Sequence, residues 1–274
     1  MSGADAHRDR GDGADRAGLA LRPSVLVFAG VDPSGGAGIA ADLQAIAAQG
    51  AHALTVVTAL TAQDNDRVHA VQPVDSAFVL RQAQALIATI HIAAVKIGIP
   101  GSAANAGAIA GLVAQLRLRQ PELPVVLDPM LASGHGDPLS RDDAIQALAP
   151  LLPLATLILP NGPEARALTG LDDAAAQARA LRERGCRHVL ITGGHGDGDV
   201  IVNHWFGPGD DRQWRWPRLD GGFHGSGCTL AAAAAALLAQ GLPMAQALAL
   251  AQRYCDRALH ASYAIGAGQR IPRR

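Results

Sequence analysis

Val25-Leu26-Val27-Phe28-Ala29 runs directly into Gly30-Val31-Asp32-Pro33-Ser34-Gly35-Gly36-Ala37-Gly38, and a helical pattern follows from about Ile39 to Gln49. The short apolar run has the character of a strand buried on both faces. Glycines then let the chain turn sharply before a helix. A strand, a glycine turn and a helix make the first half of a parallel crossover unit, and the following segments repeat that rhythm.

Working outward, His52 to Ala59 reads as the next strand, with Thr55, Val56, Val57 and Thr58 supplying β-branched character. A polar loop, Thr61 to Asp66, leads through Val68–Val71 to a helix near Asp75–Ile90, capped by Asp75 or Ser76. Strands are then expected at 93–98, 125–127, 156–159 and 188–192, and helices at 103–119, 142–152, 163–169 and 173–185. This alternation predicts an α/β fold, a mostly parallel sheet with helices on both faces and right-handed crossovers. After Thr192 the rhythm changes. Residues 199–206 and 212–216 alternate polar and apolar around Gly207-Pro208-Gly209-Asp210, which predicts a hairpin and an antiparallel edge. Two last helices, from about Thr229 and Met244, close the chain. Residues 1–22 lack apolar period and read as a disordered leader, and 23–274 as a single domain.

Composition narrows the classes. The 274 residues are 49% hydrophobic and 17% charged, enough to bury a large core. A net charge of −1 offers no basic field, so neither nucleic acid nor an anionic membrane is an expected partner. No signal-peptide pattern or bilayer-length apolar run stands out. Three scattered cysteines, 186, 228 and 255, show no metal-ligand or disulfide spacing and fit a reducing cytoplasm.

In an open parallel sheet, ligands bind beyond the carboxyl ends of the strands. Asp32, Gln63, Asp128 and Asn161 fall there, and so does Thr192-Gly193-Gly194-His195. Each alone is an ordinary turn residue, but together they predict one crevice. Gly221-Gly222-Phe223-His224-Gly225-Ser226-Gly227-Cys228-Thr229, feeding an alanine-rich helix, joins them. Unpaired amides at such a helix start, under the positive end of the dipole, suit an anion such as phosphate. The same stretch also reads as a plain loop-to-helix junction. Cys228, placed there, is expected to lose its proton more readily than in water.

Gly36-Ala37-Gly38-Ile39-Ala40-Ala41 fits a loose dinucleotide pattern. The next strand, however, ends in Thr58-Ala59-Leu60, without the acid that would hold a ribose. No Walker-type lysine loop and no Gly-x-Ser-x-Gly elbow occurs. An anion loop with acidic and amide groups suits phosphoryl transfer, in which positioning and charge neutralisation dominate.

The Gly30–Gly38 stretch resembles the opening motif of the hydroxymethylpyrimidine and phosphomethylpyrimidine kinases of thiamine biosynthesis. So do Thr58-Ala59-Leu60-Thr61-Ala62-Gln63, Lys96-Ile97-Gly98, Val126-Leu127-Asp128-Pro129, Pro160-Asn161-Gly162-Pro163-Glu164-Ala165, Gly193-Gly194-His195 and His224–Thr229. The likeness runs in order from about residue 24 to 262. It implies a ribokinase-like three-layer α/β/α sandwich, commonly dimeric. It implies transfer of the γ-phosphate of ATP, with Mg²⁺, to a hydroxymethyl group. Carried over residue by residue, Gly30, Asp32, Gly38 and Gln63 would bind the pyrimidine, and Gln63 can both donate to and accept from its edge. Asp128 and Glu164 would hold Mg²⁺, with Asn161 beside them. Asn161, Thr192, Gly194, His195 and Thr229 would serve the nucleotide. The amides of Gly225, Ser226, Gly227 and Cys228 would stabilise the transferred group, and Cys228 would take the hydroxyl proton.

Three positions depart from the family pattern. Ile99 stands where methionine is frequent, Thr192 where lysine is frequent, and Val31 where serine is frequent. The missing charge at Thr192 bears most on a second phosphorylation, of the monophosphate. Pyridoxal or pyridoxine kinase activity is the nearest alternative. A non-catalytic pyrimidine-binding protein is another, although it would have no need of a metal-holding acid and a base.

Overall fold

The computed structural model describes residues 21–132, 136–137, 139, 142–196 and 198–274, so the leader expected over 1–22 lies almost wholly outside the described residues. The first crossover unit is present as read: β1 (Ser24–Val31) is buried from Val25 to Gly30, and α1 (Gly38–Ala48) follows the glycine turn. β2 (His52–Gln63) pairs parallel with β1 but runs four residues beyond the expected strand. Val68–Pro73 forms β3, antiparallel to β2. Half of the polar loop expected at 61–66 is therefore strand, and Asp64 to Asp66 make the turn. Asp75 is the cap of α2 (Ser76–Ile87), accepting from the Phe78 amide at 3.2 Å.

β4 (Ala94–Ile97), α3 (Ala103–Arg119) and β5 (Val125–Leu127) fall where expected. The helix expected at 142–152 is shorter: α4 spans Ala144–Leu148, and a 3-10 turn covers Leu152–Leu154. β6 (Leu157–Ile158), α5 (Gly162–Thr169), α6 (Ala174–Glu183) and β7 (His188–Ile191) complete the alternation. β8 (Val200–Phe206) and β9 (Asp211–Pro217) form the expected hairpin. α7 (Ser226–Ala239) and α8 (Met244–His260) follow.

The nine strands form one sheet in the order β3-β2-β1-β4-β5-β6-β7-β8-β9. The pairs from β2 to β7 are parallel, and both edges are antiparallel rather than one. Two apolar cores lie on opposite faces. One packs Phe28, Ile97 and Leu127 against α2, α3, α5 and α6, and the other packs Val27, Val126 and Leu190 against α1, α7 and α8. The alanine run of α7 is completely buried, which lets this helix lie close to α1 and the sheet. Helix, sheet and helix make the three-layer sandwich. Among the described residues no helix is long and apolar enough to cross a membrane.

Candidate active site

The parallel strands end at a common edge, where a cavity of ≈ 470 Å³ opens. Gly30, Asp32, Gly38, Gln63, Asp128, Asn161, Glu164, Thr192, Gly194, His195 and the loop from Gly225 to Cys228 all line it. The convergence expected from strand-end positions is thus present in the fold. Gln63 reaches the cavity as the last residue of β2, not from a loop.

Asp32 organises the first glycine turn. Its Oδ1 accepts from the Ser34 amide at 2.8 Å, and its Oδ2 from Ser34 Oγ at 2.9 Å and the Ala37 amide at 2.7 Å. Nε2 of His224 donates to the same Oδ2 at 2.8 Å, tying the two glycine loops together across 192 residues of sequence. Burial works to raise this carboxyl, but the hydrogen bonds from His224, Ser34 and Ala37 prevail and bring its pKa to about 2. Most of the capacity of Asp32 is therefore spent on the protein itself, holding the turn.

The second glycine loop meets the first at Gly225, which caps α7 with φ 81°. A Cβ there would collide with the Gly36 carbonyl, so both the backbone angle and the space demand glycine. The Arg274 guanidinium locks the junction, donating to the carbonyls of Gly36 and Gly225, while its Nε donates to Thr229 Oγ1 at 2.8 Å. Thr229 is fully buried and its hydroxyl donates to the Gly225 carbonyl at 2.8 Å. It is not among the residues that line the cavity, and its hydroxyl supports the loop from behind.

Cys228 lies in the first turn of α7, 2% exposed, with its thiol 3.7 Å from Met130 Sδ. Burial pushes its pKa up to about 12, although Lys96 and the Gly38 amide pull it down. This runs against the expectation of an easily ionised thiol: desolvation outweighs the pull of the Lys96 cation and the Gly38 amide. All three cysteines are free.

Asp128 and Glu164 both line the cavity, close enough for the charge of one to act on the other. Burial raises Asp128 to about 6, against the pull of Lys96, and its Oδ2 has no hydrogen-bond partner. Burial, then the charge of Asp128, raises Glu164 to about 8. Glu164 also closes a capping box on α5: its Oε2 accepts from the Asn161 amide and Asn161 Oδ1 accepts from the Glu164 amide, both at 2.9 Å. The Glu164 carboxylate also accepts from the Leu131 amide, so the part of this capping box left for a ligand is the amide NH₂ of Asn161.

On the β7 side the sequence reading missed the supporting residues. The Gly193 amide donates to Asn203 Oδ1 at 3.0 Å, and Asn203 Nδ2 donates to Gln252 Oε1 at 2.9 Å. Trp216 Nε1 donates to the same Oε1 at 3.2 Å. Arg218 donates to the carbonyls of Gly194, Gly196 and Gly198. None of these side chains sits in a motif; the one sequence signal is a polar residue on an otherwise apolar strand or helix face.

Comparison with known proteins finds relatives along most of the chain. A family model described as phosphomethylpyrimidine kinase matches residues 32–272. A hydroxymethylpyrimidine/phosphomethylpyrimidine kinase of Rhizobium meliloti is 38% identical, covering 89% of this chain and 93% of its own. A thiamine biosynthesis bifunctional protein of Geobacter sulfurreducens is 39% identical over 90% of this chain, which spans only 51% of that longer protein. Among solved structures, an ADP complex of Bacillus subtilis pyridoxal kinase superposes with TM-score 0.81 at 28% identity, covering 92% of this chain and 97% of its own. Phosphomethylpyrimidine kinase of Clostridium difficile gives TM-score 0.73 at 33% identity, with 87% and 100% covered.

Proposed function

The chain belongs to the phosphomethylpyrimidine kinase family, and from that premise we propose that it phosphorylates 4-amino-5-hydroxymethyl-2-methylpyrimidine with ATP, and then the monophosphate, for thiamine biosynthesis. It is a kinase of the ribokinase-like fold. The observation that carries the substrate reading is the meeting, in one cavity, of the amide-lined start of α7, the Asp128–Glu164 pair and the Gln63 amide.

Mg²⁺ fits the residues present. A buried carboxylate oxygen without a partner on Asp128, beside a second carboxyl raised by its charge, is a place where a cation relieves repulsion. Among the described residues no group of three or more His, Cys, Asp or Glu side chains could hold a metal. Phosphate oxygens and water would therefore complete the shell, as is usual for Mg²⁺. When bound with ATP, the ion neutralises charge on the phosphates. Asp128 and Glu164 orient that end of the nucleotide, and the amides from Gly225 to Cys228 receive the charge gathered on the transferred group. Gln63 holds the pyrimidine edge, and Thr192, Gly194 and His195 lie along the nucleotide.

Cys228 faces the hydroxymethyl oxygen as a thiol. Taking the hydroxyl proton would first require it to lose its own, which burial opposes. In a loose transition state the hydroxyl gives up its proton late, so charge stabilisation matters more than a strong base. The proton then passes to an oxygen of the transferred group and is lost to water as the ester ionises. Thr192 brings no charge to the second phosphorylation, so that step is the slower one.

The high structural similarity to pyridoxal kinases gives a second reading, in which the same cavity takes the vitamin B6 ring. We further place the enzyme in the cytoplasm as a homodimer, folded as one domain over 23–274, with neither a nucleic-acid nor a membrane partner. Free cysteines and a net charge of −1 support the compartment and the lack of a polyanionic partner. Incubation with ATP, Mg²⁺ and hydroxymethylpyrimidine, followed by mass spectrometry, tests the proposal. Successive mono- and diphosphate products are expected, and unchanged substrate would refute it.

A further inference from the structure

Lys96 is the only lysine in the chain; every other Lys or Arg position is arginine. It is also wholly buried. It lies in β4 with its side chain on the face covered by α1 and α7, and Nζ donates to Asp42 Oδ2 in α1 at 2.9 Å; both side chains are 0% exposed. The ammonium also occupies the space over Gly98, where a Cβ would stand 2.9 Å from Nζ. Beyond Asp42, the titratable groups close enough to couple to it most strongly are the Cys228 thiol, which is neutral, and Asp128. Asp42 Oδ1 and Asp128 Oδ2 are buried without a hydrogen-bond partner. An ammonium has three donors, and the bond to Asp42 uses one of them.

A pair of this kind is not explained by stability. Removing two charges from water is costly, and replacing a buried ion pair by well-packed apolar residues is often neutral or stabilising. Elsewhere in these packed layers the protein uses alanine, leucine and valine. The exception stands where β4 meets α7, behind the loop that receives negative charge. A guanidinium would be too broad for the space over Gly98, whereas an ammonium is a compact point charge on a flexible stem.

We propose that Lys96 is a positioning residue for phosphoryl transfer. Its fixed charge, anchored by Asp42, stands behind Cys228 and Asp128 and stabilises the negative charge gathered at the 225–228 loop in the transition state. The inference rests on the reading of the cavity as a phosphoryl-transfer site. Lys96 touches no substrate and acts through the loop and its two neighbours.

The test compares wild type with Lys96→Met, Asp42→Asn and the double variant Lys96→Met/Asp42→Leu. Each is assayed for melting temperature and for kcat and KM with ATP and hydroxymethylpyrimidine. Inactive wild type would refute the function itself, whereas active wild type isolates the role of Lys96. In the double variant the melting temperature lost by Lys96→Met should return. Its kcat should stay down roughly 10²-fold while both KM values move less than about threefold. Asp42→Asn, which keeps the cation, should retain a kcat at least about tenfold above that of Lys96→Met. A double variant with kcat within about threefold of wild type would make the pair purely structural. The same conclusion follows if Asp42→Asn falls as far as Lys96→Met, a comparison that holds even if the double variant does not fold.

Discussion

The two ends of the cavity are built from different materials. Where β1, β4 and β5 end, charges are buried: Asp32 with His224, Lys96 with Asp42, Asp128 with an open oxygen, and Arg274 under both glycine loops. Where β7 and β9 end and β8 begins, the support is neutral, an amide chain through Gly193, Asn203, Gln252 and Trp216. Arg218 adds a cation there, but it donates to the backbone carbonyls of Gly194, Gly196 and Gly198. The first end is arranged for charge that changes during the reaction, and fixed charge in a low-dielectric site stabilises it without reorganisation. The second end needs only to hold the shape of a loop. Substitutions should therefore affect kcat at the charged end and KM at the neutral end.

The largest expected effect is at Asp128. Asp128→Asn keeps the shape but removes the charge, and kcat should fall by roughly 10³-fold with a folded protein. Steady-state kinetics and a melting curve together check this. A kcat within about tenfold of wild type would mean that the charged end is not the reacting end.

Asp32 should show itself through acid stability. Its folded pKa of about 2 lies below the ordinary 3.8, so its stabilisation is complete above the ordinary value. It is lost as the pH falls toward 2. Urea unfolding of wild type and Asp32→Asn should differ by about 2 kcal/mol more at pH 5 than at pH 2. The comparison with the variant is needed because burial raises Asp42 and Asp128, whose contributions run in the opposite direction. A constant difference across that range would remove Asp32 from the charged framework.

Much of this architecture was legible in the sequence, and the failures have physical causes. The parallel strands read correctly because burial on both faces leaves uninterrupted apolar runs, as in Val25–Ala29. Strand ends pointed to the cavity because topology alone carries them there. The β3 edge escaped notice because Val68–Pro73 is half-exposed, polar and ends in proline. Cys228 was placed correctly but given the wrong ionisation, since the depth of the first turn of α7 depends on Met130 and α1 packing over it. The surroundings of Thr229 escape the sequence for a related reason: helix periodicity turns its hydroxyl toward Arg274, a contact across 45 residues. Lys96, Asp42 and Arg274 carry no local signal of their meeting. Their partners are set by how α1 and α7 cross the sheet.

Cys228 sharpens the contrast further. A thiol that stays protonated contributes one hydrogen bond, so Cys228→Ala should lower kcat by about tenfold. A true general base would cost roughly 10²- to 10⁴-fold. Rate measurements from pH 6 to pH 9 on wild type should show no rise attributable to a thiolate, and the larger loss would restore the base assignment.

At the neutral end Asn203→Ala should raise the KM for ATP by roughly fivefold, because the Gly193 amide and Gln252 lose a buried partner. Its kcat should stay close to that of wild type. A fall in kcat without a change in KM would erase the division between the two ends.

The most direct test of the central claim is the ratio of kcat/KM for hydroxymethylpyrimidine to that for pyridoxal, measured by coupled ADP release with Mg²⁺ present. A cavity that reads an aminopyrimidine edge through Gln63 should favour hydroxymethylpyrimidine by at least about tenfold, the value of one well-placed polar contact. A ratio below one would contradict the assignment and make the vitamin B6 ring the substrate.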